Sequence, residues 1–200
     1  MPTKNSMHFY VNWAKERLDE MDAALTSLEG KAGGVQADMR DAASKLLADL
    51  RKQRDGFQDI VKKQSAANEA AWISAKAELE PQWNSFEAEI KKYIESFSKQ
   101  FDHQQATFKL QAAAQLKAWR EAADKLGGDA KGFATEQRGE IDTVVKRMLA
   151  DAAVAEEKLQ KNVNETGTQS WSALMAVLTE TRAAFDRANQ AAREAFKRAA

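Results

Sequence analysis

His8 and His103 are the two imidazoles of this 200-residue chain, and neither has the neighbours that imidazole chemistry needs. Asp102 adjoins His103, but consecutive helical residues point about 100° apart, so they do not form an acid–base pair. No histidines stand four residues apart, and no Glu-x-x-His pattern offers a di-iron ligand set. Cysteine is absent, which removes disulfides, thiolate nucleophiles and the common zinc sites. Carboxylates are plentiful, yet each has a Lys or Arg nearby. No Ser or Thr sits in a nucleophile-elbow context. Gly30, Gly33 and Gly34 fall close together, but no strand precedes them and no Lys-Ser/Thr follows, so they read as a turn and not a phosphate loop. The chain is expected to have no catalytic residues, no metal site and no cofactor, and not to be an enzyme.

Charge narrows the partners. Lys+Arg and Asp+Glu both number 30, so a neutral, interleaved surface exerts no long-range pull on nucleic acid. The most basic runs, Arg51–Arg54 and Lys62-Lys63, have Asp49, Asp55 and Asp59 beside or between them, where a phosphate-binding stripe would exclude acids. The tryptophans, Trp13, Trp72, Trp83, Trp119 and Trp171, are spread along the chain and read as local core anchors instead of one aromatic cage. Trp72, Trp83 and Trp171 are the candidate contacts for a protein partner, the first two because a kink at Pro81 would leave one uncovered.

The elements that carry these residues are helices. Ala, Glu, Gln, Lys and Leu dominate, and strand-like β-branched runs are missing. No stretch approaches eighteen apolar residues and the N-terminus lacks an apolar signal segment, so the expected setting is cytoplasmic. The expected class is all-α: an elongated antiparallel bundle or coiled coil with one long central helix. One domain, 1–200, is expected to hold helices at about 7–29, 35–126, 130–163 and 169–198. In the first, Leu18, Met21, Leu25 and Leu28 mark the buried face. The second is read as continuous through the apolar-poor residues 62–70, since no Gly or Pro interrupts them, and as kinked near Pro81. Its stretch from Pro81 to Leu126 alone would span about 70 Å. Gly127-Gly128 reads as the turn that reverses it, with Asp129 capping the next helix. Thr168 or Ser170 caps the last. A continuous return would bring both Phe196 and Met7 near residue 60. The alternative is a more compact four- or five-helix bundle broken at Pro81 and Thr168.

Large apolar residues recur at a spacing of eleven. One register reads Ala75, Phe86, Phe97, Phe108, Trp119, Ala130, Ile141, Ala152, Val163, Leu174, Phe185, Phe196. Two parallel registers read Leu79, Ile90, Phe101, Ala112 and Trp72, Trp83, Ile94. Eleven residues make three helical turns, so each register holds one side of a helix. Upstream the register meets Glu20, Lys31, Gln53 and Gln64, and the N-terminal third is expected to pack differently. In periodicity, though in no motif, the pattern resembles exchangeable apolipoproteins and phasins, and that resemblance implies a helix laid flat on a lipid or storage-granule surface. The opposite face favours packing instead: Glu87, Glu89, Lys91, Lys92, Glu95, Lys99 and Asp102 alternate in sign without a basic excess. The expected function is a non-enzymatic structural, scaffold or protein-interaction module, forming a homo-oligomer (a dimer) or binding a protein partner. Coating of a lipid surface is the alternative.

Overall fold

The computed structural model describes residues 7–164 and 170–200, and the described residues are helical with no strand, as the composition requires. Six α-helices follow in order: α1 Met7–Lys31, α2 Arg40–Lys63, α3 Glu69–Phe97, α4 Phe101–Ala130, α5 Thr135–Asn164 and α6 Trp171–Ala199. Two short 3-10 turns, Ala32–Gly34 and Ala37–Met39, link α1 to α2.

The single helix expected over 35–126 is three helices, and neither interruption falls at Pro81. The first interruption is set by Asn68, whose side chain accepts the Ala71 N–H at 2.9 Å and starts α3. An Asn cap satisfies an orphan donor as well as any glycine ends a helix, so the lack of Gly or Pro was no guide here. The second interruption lies at Ser98–Gln100. Ser98 leaves helical geometry at φ −136°, ψ 47°, and Gln100 is extended. Helix α3 runs through Pro81, which lies with Ala77 on the exposed side. The Ala77 carbonyl that loses its donor is therefore at the wet face of the helix.

The turn expected at Gly127-Gly128 is also displaced. Helix α4 passes through both glycines to Ala130, and the reversal follows at 131–134. There the Gly132 N–H donates to Asp129 O (3.1 Å) and the Phe133 N–H to Ala130 O (3.2 Å). Leu126 and Ala130 are both fully buried, one turn apart, and burying both requires helical spacing across the pair. The last helix begins with Ser170 as its cap, its hydroxyl accepting from Ala173 N, while Thr168 lies outside the described residues.

The helices alternate in direction. Ser27 meets Thr107 (2.7 Å) and Lys15 meets Glu121 (2.7 Å), so α1 is antiparallel to α4. Phe9 packs on Phe196 (5.6 Å) and Arg17 pairs with Asp186 (2.5 Å), so α1 is antiparallel to α6 as well. Tyr10 stacks on Trp72 and Lys76 lies over Trp13, which makes α1 and α3 parallel. Helix α2 closes on α1 and α3, and α5 closes on α4 and α6. Phe196 thus meets Phe9 and Phe133, and its neighbour Arg193 reaches Glu69 at the start of α3.

The central element is therefore α1, 25 residues long, touching α2, α3, α4 and α6. Its expected buried face is present in Met21, Leu25 and Leu28, with Leu18 half-buried, but Phe9, Trp13 and Ala14 are buried too. Two apolar clusters fill the bundle. One joins α1, α2 and α3 to the start of α4 and of α6, and the other joins the end of α4 to α5 and the end of α6. Of the main eleven-residue register, Phe97 and Val163 are half-buried and the other members are buried. Within a helix that spacing keeps one face inward. Across a reversal it carries no helical geometry, because the chain changes direction there.

Since Gly128 is helical and a Cβ there meets nothing within 4 Å, Gly128→Ala is expected to stabilise the fold by about 0.5–1 kcal/mol. A urea unfolding midpoint checks this. A turn glycine in the left-handed region would lose stability instead.

Candidate functional site

The groups that converge in this bundle are charged, and they lie in the interior. Glu16 and Glu20 stand one turn apart on α1 and are both 0% exposed. Their spacing puts both carboxyls on one side, where α6 and α4 cover them. Arg182 of α6 donates from Nε to Glu20 Oε1 and from Nη2 to Glu20 Oε2, each at 2.9 Å. Its third nitrogen, Nη1, lies 2.8 Å from Glu87 of α3, and its guanidinium stacks 4.5 Å from the Trp83 ring. Arg17 gives Nη1 to Glu16 (2.9 Å) and both terminal nitrogens to Asp186 (2.7 and 2.5 Å), over the Trp13 ring. From α4, Gln115 donates to Glu20 (2.8 Å) and to Leu178 O (2.9 Å), and the Thr181 hydroxyl donates back to Gln115 Oε1 (2.5 Å).

The titration of the two buried glutamates is pushed apart. Burial raises Glu16 well above the usual carboxyl range, and the neighbouring Glu20 charge adds to it, against the pull of Arg17 and Arg182. Burial also works against ionisation at Glu20. There the charge of Arg182 and hydrogen bonds from Glu16, Arg182 and Gln115 outweigh it, and Glu20 is held below the usual range. Glu87 is raised, chiefly by burial. The two carboxyls are thus shifted in opposite directions, a separation of the sort that acid–base sites use.

Access decides what the pair can do. A cleft of about 300 Å³ between α1, α3 and α6 is lined by Trp13, Arg17, Trp83, Glu87, Arg182 and Asp186. Glu16 and Glu20 lie behind that wall and do not line it. A shallow groove of about 370 Å³ continues alongside, past Tyr10, Ile73, Lys76, Asn189 and Arg193. In it Lys76 is paired with Glu80, and Arg193 with Glu69. Another, of about 390 Å³, runs between α5 and α6 past Met148, Val154, Ala184 and Ala188. Among the described residues no three His, Asp or Glu side chains are grouped to hold a metal ion. No described helix is long and apolar enough to cross a membrane.

Comparison with protein-family models, with curated proteins and with solved structures finds no match. The functional reading therefore rests on this geometry.

The expected partner contacts are placed in the core. Trp72, Trp83 and Trp171 are 1, 4 and 3% exposed. Trp72 lies under Tyr10, and Trp83 beside Phe86 and Arg182. Since α3 does not break at Pro81, neither neighbour of that proline is uncovered. The large apolar groups that do reach solvent are Met39, Ile73, Leu110, Leu149 and Val154. The bundle brings Trp83 to the charged cluster and leaves Trp72 and Trp171 apart from it.

The cluster itself was missed because Glu16, Arg17 and Glu20 look like an ordinary solvated face. Two signals were present. Apolar residues on α1 are not confined to one stripe, which marks a helix packed on more than one side. Glu20 also falls on the eleven-residue register, and although its charge departs from the apolar pattern the position is buried. Further polar residues continue the seam: Asn12 and Ser27 on α1, and Thr107 and Gln111 on α4, are buried.

Removing one partner of a buried pair leaves an uncompensated charge, so Arg182→Met is expected to cost about 3–5 kcal/mol in urea unfolding. Adding Glu20→Met removes the stranded carboxylate and is expected to recover a large part of that loss. A strictly additive double variant would contradict the pairing.

Proposed function

We propose that this chain is a non-enzymatic helical module that works through its helix faces, as a structural or scaffold element binding protein partners or further copies of itself. One observation carries the reading. The charged groups that converge inside the bundle are bonded to one another across helices, and the Glu16–Glu20 carboxyls lie behind the wall of the cleft. What remains for recognition is surface: shallow grooves between helices and isolated apolar groups such as Ile73 and Val154. A mixed-sign surface of zero formal net charge supports protein contacts over nucleic acid.

A second reading is a coat on a lipid or storage-granule surface. The buried polar seam of α1 and α4 favours it, because Glu20 facing Gln115 and Ser27 facing Thr107, with Asn12, Glu16 and Gln111 also buried on these helices, reduce the apolar area lost when the bundle parts there. The amphipathic helices are about 36–45 Å long at 24 to 30 residues each, a length suited to lying flat on a surface.

Solution mass and vesicle binding separate the two. The scaffold reading expects a dimer or larger species at micromolar concentration, with a cooperative thermal transition unchanged by phosphatidylcholine vesicles. Co-sedimentation with the vesicles, together with loss of that transition, would overturn it in favour of the coat. A monomer that ignores vesicles and captures no partner would count against both.

A further inference from the structure

Charge counting around α1 leaves an excess of acid. Four carboxyls, of Glu16, Glu20, Glu87 and Asp186, are arranged about two guanidiniums, of Arg17 and Arg182. Asp186 is partly exposed, so water shares its charge, whereas Glu16 and Glu20 are closed off on all sides. Arg182 is committed to both oxygens of Glu20 and stands 4.0 Å from Glu16 Oε1, which is buried and accepts no hydrogen bond. With Glu16 and Glu20 both ionised, Arg17 and Arg182 would be shared among four carboxylates, and the cluster would hold two negative charges in excess.

We propose that the Glu16–Glu20 pair is a proton-operated latch: one proton held between the two carboxyls keeps α1 seated against α6, and its loss unseats α1. This device stands apart from the functional reading above. The groups facing the pair are Arg17 on α1 itself, Arg182 and Asp186 from α6, Glu87 from α3, and the neutral Gln115 from α4. The charged contacts of α1 with α2 are the Asp22–Arg54 and Glu29–Arg51 pairs, and with α4 the Lys15–Glu121 pair. Deprotonation of Glu16 adds a second negative charge behind the cleft wall. The nearest relief is hydration, which requires α1 and α6 to separate. Separation bares Trp13 and Trp83, so the latch governs access to the aromatic face of the seam.

The direction of the pH effect follows from the two carboxyls. Glu16 is raised, so its contribution is complete below the ordinary glutamate range and is lost as pH rises through its own higher value. Glu20 is lowered and works oppositely, losing its contribution on acidification. Glu87 shares the sign of Glu16.

The test is the unfolding equilibrium in urea, read by tryptophan fluorescence from pH 4.5 to 9, for wild type, Glu16→Gln and Glu87→Gln. In wild type the folded-to-unfolded ratio is expected to fall by up to about tenfold per pH unit for each proton released. Glu16→Gln, which keeps a neutral group at that position, is expected to remove most of this alkaline loss, and Glu87→Gln only a minor share. An unchanged slope in Glu16→Gln overturns the latch. A second readout needs no variant: infrared spectroscopy of folded wild-type protein with isotope-labelled glutamate should show a protonated carboxyl band at pH 7. Its absence would overturn the proposal even if Glu16→Gln fails to fold.

Discussion

The bidentate pair between Arg182 and Glu20 is the constraint on which this structure turns. Both groups are removed from water, so each is tolerable only while the other is in place. They are 162 residues apart, and meeting requires α6 to return along the full length of α1. Glu87 and Trp83 add α3 to the same point, and Gln115 adds α4. Four of the six helices are thus indexed to one guanidinium. Apolar packing supplies the drive to collapse, but it is permissive about register. A hydrogen-bonded ion pair is not, and a slip of one helix by a turn would strand a buried charge.

That cluster explains why a short helix is the centre. Helix α1 is packed by four neighbours; Lys15, Asp22 and Glu29 keep a partly exposed side, but Glu16, Arg17 and Glu20 face other helices and must be matched internally. The polar seam runs beside two apolar clusters, one drawn chiefly from α1, α2 and α3 and the other chiefly from α4, α5 and α6. The scaffold reading rests on the surface grooves, whereas the coat reading and the latch rest on the polar seam of α1 with α4 and α6.

Much of the fold was legible in the sequence. The all-helical class followed from composition, and the eleven-residue register named core residues from Ala75 to Phe196, because three helical turns preserve a face. Helix ends were less legible. Glycine at 127 and 128 suggested a turn, but burial of Leu126 and Ala130 overrode its weak propensity, while Asn68 ended a helix run with no glycine or proline in sight. The interior site was the least legible. A glutamate on a helix looks alike whether it faces water or a partner arginine 162 residues away, and only the fold distinguishes them. The same ambiguity put Trp72, Trp83 and Trp171 forward as contacts, when an intact α3 and a capped α6 bury all three.

The central claim is that α1 is the enclosed core helix, seated by its charges. Native-state hydrogen exchange at pH 6, resolved by helix, tests it most directly. The account predicts that amides from Trp13 to Leu28 exchange slowest, at rates set by global unfolding, while α2 and α5, each packed on two neighbours, open more readily. Exchange of α1 as fast as that of α2 or α5 would contradict it.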